Sequence, residues 1–439
     1  MKKNSLIVGL LKYANKLFIL SFLLFIHHAE AQNYIQVSGR HILGPCGDTI
    51  VLKGINYAPY NWGWSTDQIR IDELAKTKAN CVRLVWYKKG ETGNPAALYA
   101  NLDMLDSVLA KSIKNQLIPI LVLHDQTCKN SAADLLSLSS WYEQDGVLRL
   151  IEKYKHSLIL NIANEALYVN WSANPTEARA TFQATYTTII QKLRAQGIQV
   201  PLMIDGPDCG TNLAALALAG PSLLASDPEK NLIFSAHSYW YSYARNDSLQ
   251  MANEIKNALL ANIPFVFGEV ANLQDDVSMC QHVLNYKPLL KICKQKKIGW
   301  LAWSWDNDGC SNRQISNNGS FASLTDYGQE MVFNATFGIT NDSSAKSKFL
   351  QFGNCVVTNA TQYSNRKDLK IIPNPSNGYF QIPGLEENIK PIVFSMLGKP
   401  IEIQKTGMDG DFQFAKDTNP GVYKIVMGKI TQPLLLLNK

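Results

Sequence analysis

Eight short apolar runs, each followed by a polar or aromatic tip, constrain the fold of this chain more than any other feature. They are TIVLKGINY, NCVRLVWY, IPILVLHD, SLILNIANE, VPLMIDGP, LIFSAHSYW, IPFVFGEV and IGWLAWSW. Between them lie helix-like patterns with apolar residues three or four positions apart, among them 67–78, 102–114, 176–195 and 251–261. Nearly continuous apolar strands that alternate with helices indicate a parallel sheet covered by helices, and eight such units predict an α/β fold of the (β/α)8 or TIM barrel type.

An open, doubly wound sheet is the alternative fold with the same alternation. It is disfavoured because no G-x-G-x-x-G motif follows the first run, and because chemically capable residues end many runs instead of clustering at one switch point. In a barrel, the carboxyl ends of all strands meet at one mouth, where such folds hold their chemistry. The tips expected to meet there are Asn56 and Tyr57, Arg83, His124 and Asp125, Asn164 and Glu165, Asp205, His237 and Tyr239, Glu269, Trp303 and Trp305.

Two of these tips are glutamates, Glu165 after the fourth run and Glu269 at the end of the seventh. Two carboxyl groups about 5 to 5.5 Å apart are the arrangement of retaining glycoside hydrolysis, with one as acid/base and the other as nucleophile. The acid must start protonated, whereas the nucleophile must be ionised and needs donors nearby, for which Arg83 and Tyr239 are available. Asn164 can bind the sugar hydroxyl next to the reacting carbon. Because the protein supplies both groups, no cofactor and no metal is implied.

The formal charge of +6 is divided unevenly along the chain. Residues 1–31 carry +3 and residues 366–439 carry +3, so 32–365 are neutral. An even balance with no basic block argues against nucleic acid or an acidic membrane surface as the partner, and fits a neutral substrate. The neutral segment also contains every tryptophan. Those able to stack on a pyranose ring are Trp62, Trp64, Trp171, Trp240 and Trp305, whereas Trp86, Trp141 and Trp300 are assigned to the core. Asp125 and Asp205 fit helix-entry or loop positions better than catalytic ones.

Six motifs together resemble glycoside hydrolase family 5, the cellulase family of retaining β-glycanases. In the family's order, over about residues 34–335, they are NCVRLVWY, LVLHD, NIANEA, FSAHSYW, PFVFGEV and GWLAWSWDND. The resemblance implies that Glu165 is the acid/base and Glu269 the nucleophile. It implies substrate-binding roles for Arg83, His124, Asn164, His237, Tyr239 and Trp303. One departure is Ala166, because the family usually has proline after the Asn-Glu pair.

Within the family, HDQT, NIAN, LMIDGP, DPEKNLIFSAHSYW and GWLAWSW resemble the bacterial β-mannanase branch. This implies a secreted endo-β-1,4-glycanase that hydrolyses a plant-type polysaccharide, β-mannan. A β-glucan, as for a cellulase, is the alternative substrate, because the difference rests on how one sugar hydroxyl is accommodated. An alternative of another class is a catalytically inactive, sugar-binding barrel, whose mark would be the loss of one glutamate.

The first 31 residues have the features of a secretory signal peptide: lysines, an apolar stretch over 17–26, and Ala29-Glu30-Ala31 as a small-x-small cleavage pattern. The apolar stretch is too short for a comfortable membrane span. Export would permit disulfides among the eight cysteines, although pairing cannot be read from sequence. The plausible neighbours are Cys280 with Cys293, and Cys310 with Cys355.

Residues 336–365 are rich in Ser, Thr and Asn and are interpreted as a linker between a catalytic domain, 32–335, and a tail, 366–439. Short alternating runs with turn residues predict that the tail is a small β-sandwich. The tail resembles the C-terminal sorting domain of the type IX secretion system, through PNP at 373–375 with Gly378, LGK at 397–399 and GVY at 421–423. That resemblance implies the type IX machinery as a partner and a secreted or cell-surface location. A carbohydrate-binding module is disfavoured because the tail has no tryptophan.

Overall fold

The computed structural model describes residues 34–59, 69–88, 101–239, 247–274, 280–341, 346–353, 355, 371, 376–382, 391–395, 399–406, 411–415, 417–427 and 430–437. The chain divides into two compact units, 1–355 and 356–439. The division lies inside the stretch predicted as a linker. The predicted signal peptide lies outside the described residues. No helix within the described ranges is long and apolar enough to cross a membrane.

All eight apolar runs contribute strands to one closed parallel barrel in the first unit. The strands of this unit are β1 (Gln36–Ser38), β2 (His41–Leu43), β3 (Thr49–Ile50), β4 (Lys53–Tyr57), β5 (Cys81–Trp86), β6 (Ile118–Leu123), β7 (Ile159–Asn161), β8 (Leu202–Asp205), β9 (Leu232–His237), β10 (Phe265–Val270) and β11 (Gly299–Ala302). Strands β4 to β11 form the ring in sequence order, and β11 closes it against β4. The predicted TIM barrel is confirmed.

The three strands before the barrel form a small antiparallel sheet, β1-β2-β3, at its amino end. Ile42 and Ile50 of this sheet share one apolar cluster with Ile118 and Ile159, the residues that begin β6 and β7. Burial of these side chains removes apolar surface from water at the amino end of the barrel. The polar tips lie at the opposite, carboxyl end.

Helices cover the outside of the barrel. They are α1 (Ile71–Ala75), α2 (Leu102–Lys114), α3 (Ala132–Ser139), α4 (Asp145–Tyr154), α5 (Pro175–Ala195), α6 (Leu213–Ser226), α7 (Ser248–Leu260), α8 (Tyr286–Lys296), α9 (Asp326–Phe333) and α10 (Lys348–Phe352). Side chains at the N-caps Asn101, Asn174 and Asn212 accept hydrogen bonds from the first turns of α2, α5 and α6. The predicted helix at 102–114 has the observed bounds of α2, and those at 176–195 and 251–261 begin later than α5 and α7.

Three disulfides cross-link the first unit, and they differ from the neighbours suggested by sequence. The bonds are Cys46–Cys355, Cys128–Cys209 and Cys280–Cys310, whereas Cys81 and Cys293 are free and buried. The suggested pairs were wrong because pairing requires Cα atoms about 4.4 to 6.8 Å apart, whatever the sequence separation. Cys293 instead lies on the buried face of α8.

The second unit consists of two antiparallel sheets. Its strands are β12 (Tyr379–Gln381), β13 (Ile392–Ser395), β14 (Pro400–Ile401), β15 (Ile403–Lys405), β16 (Asp411–Phe414), β17 (Gly421–Met427) and β18 (Ile430–Leu436), in the orders β12-β16-β15 and β14-β13-β17-β18. Phe380 and Phe414 from one sheet share an apolar core with Ile425 and Leu434 from the other. The predicted small β domain is therefore present. The residues 373–375, 397 and 398 of the sorting motif lie outside the described residues.

Candidate active site

Arg83 of β5 is the centre of the hydrogen-bond network at the carboxyl end of the barrel. Its side chain is fully buried and donates five hydrogen bonds to other strand ends. The acceptors are Oδ1 of Asn161 (2.9 Å), Asn56 (3.0 Å) and Asn164 (2.7 Å), Oε1 of Glu269 (2.6 Å) and Oδ2 of Asp205 (3.0 Å). Although burial alone would lower it, Asp205 and Glu269 raise the pKa of Arg83, so the guanidinium stays charged.

Glu269, the predicted nucleophile, lies within β10 and is 2 % exposed. Burial raises its pKa and the nearby Glu165 adds to the rise, while His237, Arg83 and Tyr239 oppose it. Tyr239 faces this carboxylate, although within the described residues its hydroxyl makes no hydrogen bond of standard geometry. The ion pair with Arg83, at 2.6 Å, therefore favours the ionised, nucleophilic form.

Glu165, the predicted acid/base, follows β7 and is 7 % exposed. Its Oε1 lies 2.6 Å from Nδ1 of His237, and its backbone N–H donates to Oδ2 of Asp205 over 3.2 Å. Its other oxygen, Oε2, lies 3.3 Å from Sγ of Cys128. The residue adopts φ of +51°, a left-handed conformation uncommon outside glycine. The backbone therefore turns sharply at the point where it presents this carboxyl group.

The fold brings the two predicted catalytic glutamates together. One carboxylate oxygen of Glu165, one of Glu269 and a ring nitrogen of His237 all lie within 4.8 Å of one another. Such closeness suits a direct attack by one carboxylate, since an inverting pair stands about 6.5 to 9.5 Å apart to admit a water. Burial lowers the pKa of His237, and with its hydrogen on Nδ1 the neutral ring donates to Oε1 of Glu165 whether that carboxyl group is ionised or carries its proton on Oε2.

The same three groups could in geometric terms hold a metal ion, as could Glu165 with Cys128 and Cys209. The second set lacks thiolates, because its two cysteines form a disulfide. In the first set Arg83 already neutralises Glu269 and Nδ1 of His237 already bonds Glu165. The arrangement is thus organised around proton transfer and ion pairing.

Aromatic rings form one wall of the site. The ring of His124 stacks on Trp303 at 6.2 Å, and Tyr239 meets Trp303 edge-on at 6.5 Å. The Nε1–H of Trp303 donates to Asp308, which also binds Arg313. Trp303 is partly exposed and contacts His124 and Tyr239, two other residues of the predicted site.

The structure contradicts the predicted sugar contact of Trp305, and the predicted contact of Trp62 lies outside the described residues. The indole of Trp305 is fully buried within the main apolar core, so it offers no face to a sugar. Trp62, like Trp64 and Trp240, lies outside the described residues. Trp171 is 45 % exposed and packs edge-on against Tyr168.

The prediction that Asp205 occupies a loop or helix-entry position is wrong. It ends β8, is fully buried, and accepts hydrogen bonds from Arg83, from Asn161 and from the backbone of Glu165. Asn161 was not singled out by sequence. Asp205 and Asn161 are polar residues inside or at the tip of an apolar run. That position is the sequence signal for a hydrogen-bonded role, since burial of an unpaired polar group is costly.

A sequence comparison matches residues 45–309 to Cellulase (glycosyl hydrolase family 5). Among curated proteins, the chain is 26 % identical over 316 residues to the Mannan endo-1,4-beta-mannosidase of Salipaludibacillus agaradhaerens, covering 71 % of this chain and 95 % of that protein. It is 28 % identical over 271 residues to the Beta-mannanase/endoglucanase A of Caldicellulosiruptor saccharolyticus, covering 59 % of this chain and 18 % of that protein.

Among solved structures, the beta-mannanase of Streptomyces thermolilacinus superposes with a TM-score of 0.62 at 22 % identity, covering 72 % of this chain and 99 % of that one. This likeness shows a shared fold.

Proposed function

Since the chain belongs to the cellulase family, glycosyl hydrolase family 5, we propose that it is an endo-β-1,4-mannanase whose acid/base is Glu165 and whose nucleophile is Glu269. The observation that carries the mechanism is the approach of the two glutamate side chains to within 4.8 Å at the barrel mouth. The family to which the chain belongs acts by the retaining, double-displacement route.

In the first step, Glu269 attacks the anomeric carbon while Glu165 donates its proton to the glycosidic oxygen. The C–O bond to the leaving sugar breaks, and a covalent glycosyl-enzyme forms. Arg83 keeps Glu269 ionised and oriented through its 2.6 Å contact. Asn164 is held by Arg83 and by Thr127, and its second amide hydrogen, which has no acceptor among the described residues, can bind the neighbouring sugar hydroxyl as charge develops.

In the second step, the ionised Glu165 takes a proton from water, whose oxygen attacks the anomeric carbon and releases Glu269. With its hydrogen on Nδ1, the neutral ring of His237 donates to Oε1 of Glu165 in both protonation states, and the proton exchanged with the sugar oxygen or water is carried by Oε2. Two inversions return the original configuration at carbon.

β-Mannan is the proposed substrate because curated relatives at 26 to 28 % identity are named for mannan or mannanase activity. A β-glucan is the second candidate, since one relative is named both mannanase and endoglucanase. The absence of net charge over residues 32–365 suits either neutral polymer.

The test is reducing-sugar release on galactomannan, glucomannan and carboxymethylcellulose by the wild type, Glu165→Gln and Glu269→Gln. We expect cleavage of galactomannan with a loss of about 100-fold or more in both variants. Activity only on carboxymethylcellulose would replace mannan by β-glucan. Binding without cleavage by all three proteins would replace the enzyme by an inactive sugar-binding barrel.

We also propose that the protein is exported, with the second unit as its type IX sorting domain. Three disulfides in the first unit support an oxidising destination. The separate β unit at 356–439 and the motifs in the tail support the sorting role. Fractionation of a bacterium with a type IX system, expressing the chain with and without residues 356–439, tests this. Equal amounts of both proteins outside the cell would refute the sorting role.

A further inference from the structure

The Cys128–Cys209 disulfide touches the predicted acid/base. Sγ of Cys128 lies 3.3 Å from Oε2 of Glu165, and a disulfide sulfur carries no proton to donate. Both cysteines lie beyond strand ends, Cys128 after β6 and Cys209 after β8. The bond therefore links the loops that follow the strands on either side of β7, the strand that delivers Glu165.

These two loops also hold the chain that follows Glu165, residues 165–171, here called the acid loop. From one side, the carbonyl of Lys129 accepts from the N–H of Leu167 over 2.9 Å. From the other side, the Asp208 carboxylate accepts from the N–H groups of residues 169, 170 and 171 at 2.8 to 3.2 Å, and its own N–H donates to Leu167. The acid loop lies between two segments that the disulfide joins.

Backbone conformation indicates that the acid loop and the two segments joined by the disulfide are conformationally constrained. Left-handed φ values between +51° and +71° occur at Cys128, Glu165, Leu167, Asp208 and Cys209, none of which is glycine. Such conformations persist when surrounding contacts determine them. Residue 166 is alanine and not proline, so no pyrrolidine ring fixes φ at the position after Glu165. The contacts from the two flanking loops therefore carry the constraint.

We propose that the Cys128–Cys209 disulfide is a positioning element for the acid/base: it holds the flanking loops around the acid loop and so keeps the Glu165 carboxyl group at the glycosidic oxygen. This inference rests on the proposed function of Glu165. A misplacement of about 1 Å is enough to lower a rate by about 100-fold.

The test compares substrates that differ in their need for an acid. On β-mannan the leaving sugar must be protonated, whereas dinitrophenolate leaves from 2,4-dinitrophenyl β-mannobioside without a proton. We expect Cys128→Ser/Cys209→Ser in the full chain to lower kcat on β-mannan by about 10- to 100-fold, while kcat/KM on the aryl substrate falls by less than about threefold. Azide, which attacks the glycosyl-enzyme without base assistance, should raise kcat of this variant on the aryl substrate and leave the wild type unchanged.

The matched control is Cys46→Ser/Cys355→Ser, because that disulfide lies beside the β1–β3 sheet at the other end of the barrel. It should lower thermal stability and leave the ratio of the two activities unaltered. If the Cys128→Ser/Cys209→Ser variant does not fold, the folded wild type is reduced and assayed without alkylation, and the opened cysteines are mapped by alkylation and mass spectrometry after the assay.

Equal losses on both substrates, or no loss on β-mannan once the bond is open, would overturn the positioning role. Glu165→Gln is measured in parallel, as the reference for a lost acid/base. If Glu165→Gln cleaves β-mannan at the wild-type rate, the proposed function itself fails.

Discussion

Replacement of Arg83 by methionine should lower both the stability of the fold and the ionised fraction of Glu269, the proposed nucleophile. The guanidinium is fully buried and donates five hydrogen bonds, two of them to the carboxylates of Asp205 and Glu269. Removal of one partner of a buried ion pair costs about 3 to 5 kcal/mol, because the other charge remains buried and unpaired. We therefore expect Arg83→Met to lower the free energy of unfolding in urea by about that amount at pH 7.

The effect on the reaction follows from the sign of the pKa change at Glu269. Burial already raises this pKa, and Arg83 is one of the groups that opposes the rise. Removal of the Arg83 charge leaves the burial of Glu269 and the repulsion from Glu165 less opposed, so the pKa of Glu269 should rise further. The nucleophile must be ionised, so the acid limb of the kcat/KM profile should move to higher pH.

Arg194 provides the matched control. It is also buried and pairs through two nitrogens with Asp227, at 2.8 and 3.0 Å, on the outside of the barrel. Arg194→Met should cost a similar free energy of unfolding and leave the acid limb in place. Arg83→Lys keeps the charge and should shift the limb less. The reasoning is refuted if Arg83→Met folds with the wild-type acid limb, or if Arg194→Met moves the limb equally.

Two further predictions concern a buried carboxyl group, Asp306, and the two tryptophans Trp303 and Trp305. Burial raises the pKa of Asp306 to about 8, and neither carboxylate oxygen has a hydrogen-bond partner among the described residues. The stability of the fold is highest below pH 4 with respect to this group, and it falls between pH 4 and pH 8 as Asp306 ionises in the unfolded but not in the folded chain. Asp306→Asn should therefore raise the free energy of unfolding at pH 9 by up to about 6 kcal/mol and leave it unchanged at pH 4. Equal urea unfolding curves of the two proteins at pH 9 would contradict this. Trp305→Ala should cost about 3 to 5 kcal/mol with KM for β-mannan unaltered, whereas Trp303→Ala should raise KM about tenfold. A raised KM in the first variant alone would reverse these assignments.

The barrel could be predicted because a parallel sheet covered on both faces requires nearly continuous apolar strands, and eight of them are visible in the chain. The convergence of Arg83, Glu165 and Glu269 follows from the fold itself, since parallel strands place their carboxyl ends at one mouth. The pairing of the cysteines could not be predicted from the sequence. The bond between Cys128 and Cys209 spans 81 residues, and neither spacing nor composition encodes that distance in space.

Sequence by itself determined the ring of strands and which tips carry acids, because periodicity and apolar content act locally along each run. Only the tertiary structure decided which of those tip residues line the mouth, which enter the core and which join the hydrogen-bond network. Trp303 and Trp305 are two positions apart, yet β11 ends at Ala302, so strand alternation no longer governs their direction, and one lines the mouth while the other enters the core. Asp205 likewise became a network residue through contacts with β5 and β7. Such roles depend on which chains approach each other across the barrel, and that information lies in packing between distant segments.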